Sequence, residues 1–134
     1  MKRIYVLIAA ALFTGSVLAG IQVSESINFS TQGYSDGQTV SFYTGEHVLI
    51  TFPNGSSSNA AKYYSSGGAI RVYCDGQIKV SVTTDEFTLT SITFKFGGGD
   101  YANTNNITAS EGSFDGTTWT GSARELTFTV GPQE

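Results

Sequence analysis

The sequence predicts an all-β protein, an antiparallel β-sandwich of jelly-roll-like type, on three observations. Turn pairs punctuate the chain: Asp36-Gly37, Asn54-Gly55, Gly67-Gly68, Asp75-Gly76, Gly97-Gly98-Gly99, Glu111-Gly112 and Asp115-Gly116. Such pairs suit tight turns, because glycine adopts left-handed backbone angles freely and Asp or Asn bonds its own backbone. The pieces between them are short, rich in Thr, Val, Ile and Phe, and alternate in polarity with the period of a strand that buries one face. Finally, no window sustains the 3.6-residue periodicity of an amphipathic helix over about ten residues.

The first element is a targeting signal rather than part of the sandwich. Met1, Lys2 and Arg3 form a positive start, residues 4–13 are almost wholly apolar, and Thr14, Gly15 and Ser16 loosen the exit. Val17-Leu18-Ala19 then places small or modest side chains at the −3 and −1 positions of a signal-peptidase site, so cleavage is expected before Gly20. The apolar run is too short for a membrane anchor. Ile21 stands where a lipoprotein would carry its cysteine. Residues 1–19 therefore read as a signal peptide and 20–134 as one domain, secreted or periplasmic, with no membrane association after cleavage.

With Lys2 and Arg3 removed, five of the seven basic residues remain against eleven acidic ones, a net charge of −6. Those five (Lys62, Arg71, Lys79, Lys95, Arg124) are scattered. Nucleic-acid binding, which needs clustered cations to displace counterions from phosphates, is excluded as an expectation. The single cysteine, Cys74, rules out an internal disulfide, so the core alone must hold the domain.

Alternation predicts strands over 26–30, 39–43, 47–52, 69–74, 78–83, 87–89, 91–96, 106–110 and 125–130. Ile27 and Phe29; Val48, Ile50 and Phe52; Ile92, Phe94 and Phe96; and Leu126, Phe128 and Val130 are the expected inward residues. One hairpin can be set in register. A three-residue loop of Asp75, Gly76 and Gln77 pairs Cys74 with Ile78, Val72 with Val80 and Ile70 with Val82, keeping the apolar residues on one face. Cys74 is then a core residue, and Arg71, Tyr73, Lys79 and Ser81 share the other face. Residues 53–68 read as a long loop.

Chemistry-bearing patterns are sparse. Cys74 and His47 are the only thiol–imidazole candidates, and nothing marks a third residue to orient the base. Asp85 and Glu86 are adjacent and would point to opposite faces of a strand. Asp36, Asp75, Glu111 and Asp115 flank glycines, where turn chemistry explains them. Asp100, Asn103 and Asn105 follow the Gly97–Gly99 run and could hold one structural calcium, but a flexible connection is the simpler reading. No catalytic residue, metal or cofactor is assigned. The binding residues expected are loop aromatics and their polar neighbours: Tyr63 and Tyr64, Tyr101, and Trp119, with Arg71 and Tyr73 on the hairpin. Planar rings beside amides and guanidinium suit a sugar's apolar face and hydroxyl edge. For Trp119 the competing reading is that the ring belongs to the core.

Four segments, INFSTQGY at 27–34, NAAKYY at 59–64, AIRVY at 69–73 and TWTGSA at 118–123, resemble a β-sandwich accessory domain of unknown function found in secreted and surface proteins of gut bacteria. The resemblance covers most of 26–130. It implies the sandwich fold and export, and it carries no catalytic residue. The expected function is a secreted, non-enzymatic binding or accessory module with a glycan or another surface protein as ligand; the alternative is a secreted hydrolase with an unrecognised active site. Domains of the resembling kind continue past 126–130 into a final strand. An open sheet edge, and self-association through it, is therefore expected beside that segment.

Overall fold

The computed structural model describes residues 3–15, 22–96 and 106–131, and these form two antiparallel sheets, not closed into a barrel, around one shared core. The strands are β1 (Arg3–Gly15), β2 (Gln22–Glu25), β3 (Phe42–Thr44), β4 (Val48–Thr51), β5 (Lys62–Tyr64), β6 (Ala69–Tyr73), β7 (Gln77–Val82), β8 (Phe87–Lys95), β9 (Ile107–Ala109), β10 (Ser113–Phe114), β11 (Thr118–Ala123) and β12 (Glu125–Val130). A 3₁₀ turn, Phe29–Thr31, is capped by the Asn28 side chain, which accepts from Ser30 N–H at 2.9 Å. One sheet runs β10-β11-β8-β1-β6-β5, with β2 paired to β1; the other runs β3-β4-β7-β12-β9. The all-β fold expected from punctuation and alternation is the fold observed.

The core forms largely where alternation places it, but Phe96, expected inward, is only half-buried, and Ile27 and Phe29 reach the core from a loop and the 3₁₀ turn, not from a strand over 26–30. Ile27, Phe29, Val48, Ile50, Phe52, Ile70, Val72, Ile78, Val80, Ile92, Phe94, Leu126, Phe128 and Val130 are all buried. Phe94 of one sheet meets Phe128 of the other at 4.8 Å between ring centroids, and Phe114 closes on both at 5.7 and 5.2 Å, all edge-to-face. These are the separations at which aromatic pairs add to simple burial.

Several expectations are corrected. The hairpin across Asp75-Gly76 does not exist: β6 pairs with β1 and β5, whereas β7 pairs with β4 and β12 in the opposite sheet. Alternation reports which face of a strand is buried, and both strands do bury Ile70/Val72 and Ile78/Val80. It does not report whether two such faces lie side by side or across the core. Asp75, at φ +71°, is the corner between the sheets; its N–H donates to Val130 O at 2.6 Å, and Gln77 N–H donates to Pro53 O at 2.9 Å. Arg71 and Tyr73 therefore do not share a face with Lys79 and Ser81. Cys74 is half-buried, beyond the end of β6, and not a core residue.

Residues 53–68 contain a strand, β5, joined to Thr39 by a bridge to Lys62. The expected strands 87–89 and 91–96 are one, β8. β12 is no edge: β7 flanks one side and β9 the other, so an open edge is not found there. The segment read as the signal's apolar core is β1, placed between β8 and β6. The expected cleavage point at Gly20 and the residues of the calcium reading (Asp100, Asn103, Asn105) lie outside the described residues, as does Tyr101.

Candidate functional site

Of the residues expected to bind ligand, two belong to the core. Trp119 is 0% exposed; it stands on β11 opposite Ile92, and its Nε1–H donates to Glu111 O at 2.6 Å. Its indole packs against two glycines: a Cβ at Gly112 would collide with Nε1, and one at Gly121 would sit 2.6 Å from Cζ2. The turn-like spelling around Trp119 thus serves the ring's packing, and neither Trp119 nor Tyr63, which is 5% exposed, presents a ring to solvent.

Tyr64, Arg71 and Tyr73 are brought together. Antiparallel pairing sets Lys62 opposite Arg71 and Tyr64 opposite Ala69. Ile70 and Val72 face the core, so Arg71 and Tyr73 take the outer face of the sheet, which Tyr64 shares. The Arg71 guanidinium carbon lies 3.7 Å from the centroid of the Tyr64 ring, a cation–π stack. The Tyr64 and Tyr73 hydroxyls are 3.5 Å apart. Arg71 is only 8% exposed, so the stack sits in a partly dehydrated setting where such contacts are stronger than at open surface. Asp36 lies alongside. Hydrogen bonds from the Ser65 backbone N–H (2.8 Å) and Ser65 hydroxyl (3.0 Å), and the field of Arg71, hold its carboxyl below the usual aspartate range.

A pocket of about 350 Å³ opens beside this cluster. Its walls are the serine run 56–58 with Asn59 on one side, and Tyr73, Cys74 and Asp75 on the other. Ser57 shapes the loop: its hydroxyl donates to Asn59 O at 3.2 Å and accepts from Asn59 N–H at 3.1 Å. Tyr73 belongs to both features. Its burial follows from the β6 position, whereas the serine loop was legible only as polar and long. Hydroxyls, a carboxamide, a phenol and a carboxylate around one opening can exchange hydrogen bonds with a polar ligand, and the Tyr73 ring supplies an apolar wall.

His47 lies apart from the pocket lining. Its Nδ1 is 3.7 Å from Glu25 Oε1, its ring stands edge-to-face with Phe87 at 5.3 Å, and its backbone N–H donates to the same carboxylate at 2.9 Å. The thiol and the imidazole are therefore not assembled as a nucleophile–base pair. Among the described residues no three His, Cys, Asp or Glu side chains gather as a metal ion would require, and no helix is long and apolar enough to cross a membrane. No family model, curated protein or solved structure matches the chain.

Proposed function

We propose that the chain is an exported, non-catalytic binding or accessory module whose ligand is a glycan or a surface protein. The observation that supports this reading is the hydroxyl-lined pocket at 56–59, 73–75 opening beside the stacked Tyr64–Arg71–Tyr73 group. Polar groups converging on a concavity with one aromatic wall are what recognition of a polyhydroxylated ligand demands. Export is supported by the basic start, apolar run and small-residue exit of residues 1–19.

The test is a glycan array probed with protein recovered after export, run beside a broad hydrolase screen. Binding should appear on the array and fall about tenfold in Ser58→Ala or Asn59→Ala, the loss of roughly one good hydrogen bond. Turnover of any screened substrate that depends on Cys74 or Asp75 would favour the hydrolase reading instead. Silence on the array leaves the surface-protein ligand, which is developed next.

A further inference from the structure

The strand β1 occupies a peculiar place. It is the only link between the two halves of its sheet among the described residues. Along one edge it pairs with β8 through eight Cα partners, from Leu7–Lys95 to Gly15–Phe87. Along the other it pairs with β6 through Arg3–Tyr73, Ile4–Val72, Tyr5–Arg71 and Val6–Ile70, and with β2 through Ala11–Glu25 to Thr14–Gln22. All three pairings are antiparallel. β8 keeps β11 on its far side and β6 keeps β5, but β2 pairs with β1 alone.

On the export reading, processing before Gly20 removes this strand. Its removal would leave a slot with the backbone of β8 on one wall and of β6 and β2 on the other, each carrying the row of N–H and C=O groups that faces β1 in this structure. The floor of the slot is apolar: the residues opposite β1 positions 4, 6, 8, 11 and 13, an alternation broken by the register shift between Ile8 and Ala10, are Val72, Ile70, Phe94, Ile92 and Leu89, all at most 2% exposed with the strand in place. Bare ladder groups beside bare core is the arrangement that captures an added strand.

We infer that this slot is a strand acceptor: after processing, it takes an extended, alternately apolar segment of a different polypeptide, antiparallel to β8. The inference rests on the export reading above and gives its surface-protein ligand a chemistry. A second copy is a poor donor. Among the described residues of 22–131, the alternating apolar runs are strands of the two sheets, Ile27 and Phe29 are buried in the core from a loop and a 3₁₀ turn, and β2, with four residues, is itself part of the slot wall. Residues 97–105 are glycine- and asparagine-rich. The eight-partner length of the β1–β8 ladder sets the donor at eight residues or more.

The experiment starts from the full chain, exported by a bacterial host, with the mature N-terminus read by mass spectrometry. An intact N-terminus would overturn both the export reading and the acceptor, since the slot would then be filled in cis. With processed protein, the probe is a synthetic peptide of residues 3–15 flanked by lysines for solubility, added directly or during refolding from urea. Binding should saturate at one peptide per chain, raise the melting temperature by about ten degrees or more, and slow amide exchange in β6 and β8. A peptide with Ala10→Pro and Leu12→Pro, which cannot donate to the ladder at those positions, should do none of this. Three results would overturn the acceptor while leaving export intact: β6 and β8 amides fully protected in processed protein alone, a homo-oligomer that the peptide does not dissolve, or equal effects from the two peptides. Aggregated processed protein decides the matter in the same way, since only the unsubstituted peptide should return it to a monomer on refolding.

Discussion

Trp119→Ala tests the central packing claim. The ring is fully buried, so truncation removes its whole contribution to the core and leaves a cavity beside Ile92 and between Gly112 and Gly121. Buried Trp or Phe to Ala changes cost about 3–5 kcal/mol. The lost hydrogen bond to Glu111 O adds little, because Glu111 is exposed and water can replace the indole N–H. For a domain of this size each kcal/mol moves the melting temperature by roughly 3–6 °C, so a fall of about 10–25 °C is expected. Urea denaturation followed by circular dichroism gives the free energy. Because the chain has a single tryptophan, its fluorescence reports this site alone. Native emission should be blue-shifted from the unfolded state and shielded from acrylamide. A loss below about 1 kcal/mol, or native emission as red and as quenchable as unfolded, would show that the ring is at the surface and return it to the ligand-binding set.

Gly112→Ala should cost about 2 kcal/mol or more, since φ is +75° and the new Cβ meets Trp119 Nε1 and Thr120 O; measured in Trp119→Ala, the cost should shrink, and strict additivity would sink the claimed contact. Cys74, half-buried at the pocket wall, should react with a small maleimide in native protein, more slowly than in urea; complete native protection would restore it to the core. Glu25 accepts from the N–H groups of Glu46 (2.6 Å) and His47 (2.9 Å), so Glu25→Ala should lower stability by about 1–2 kcal/mol and speed exchange of those two amides above all others. Backbone hydrogen bonds from Thr118 and Thr117 hold Asp115 below the usual aspartate range, and Asp36 is lowered by Ser65. A lowered folded value means stability that is complete above the unfolded value, near pH 4, and lost as pH falls through the folded one; Asp115→Asn should flatten that acid limb, and an unchanged acid limb would argue against the turn.

The legible part of the fold was what depends on a single strand's own sequence. Alternation names the buried face of β4, β7 and β12 because a half-buried strand must alternate whatever its neighbours are. The illegible part was partnership. Ile70/Val72 and Ile78/Val80 look like a hairpin on either side of Asp75-Gly76, and the same spelling equally serves two strands that face each other across the core. β11 was missed because Gly116, Gly121 and three threonines around Trp119 spell a turn; the glycine at 121 is there to clear the ring, which no local rule reveals. The candidate site was legible in half: Tyr64, Arg71 and Tyr73 are assembled, while Tyr63 and Trp119 fill the interior. Residues 4–13 were ambiguous for a physical reason. A continuous apolar run is what a signal needs to enter the export machinery and also what a central strand needs when both of its faces are covered.

That double suitability links the polar cluster to the slot. The register sets β1 positions 3 and 5 opposite Tyr73 and Arg71, which lie on the sheet's outer face, and positions 4 and 6 opposite Val72 and Ile70, which lie on the core. A segment seated along β6 would thus be read on two faces at once. Its inward residues must be apolar to cover the floor, a demand many sequences meet. Its outward residues come beside a stacked guanidinium and two phenols, a demand few meet, and there a carboxylate or an aromatic ring would be favoured over an aliphatic chain. Affinity would come from the ladder and the apolar floor, selectivity from Arg71 and Tyr73. Substituting Tyr5 of the peptide probe by Glu, Phe or Leu separates the two contributions: Glu and Phe should bind at least as well as Tyr, and Leu more weakly, although all four keep the same ladder. Equal affinity for the four would leave the slot a nonspecific apolar groove and remove the Tyr64–Arg71–Tyr73 group from recognition of the strand.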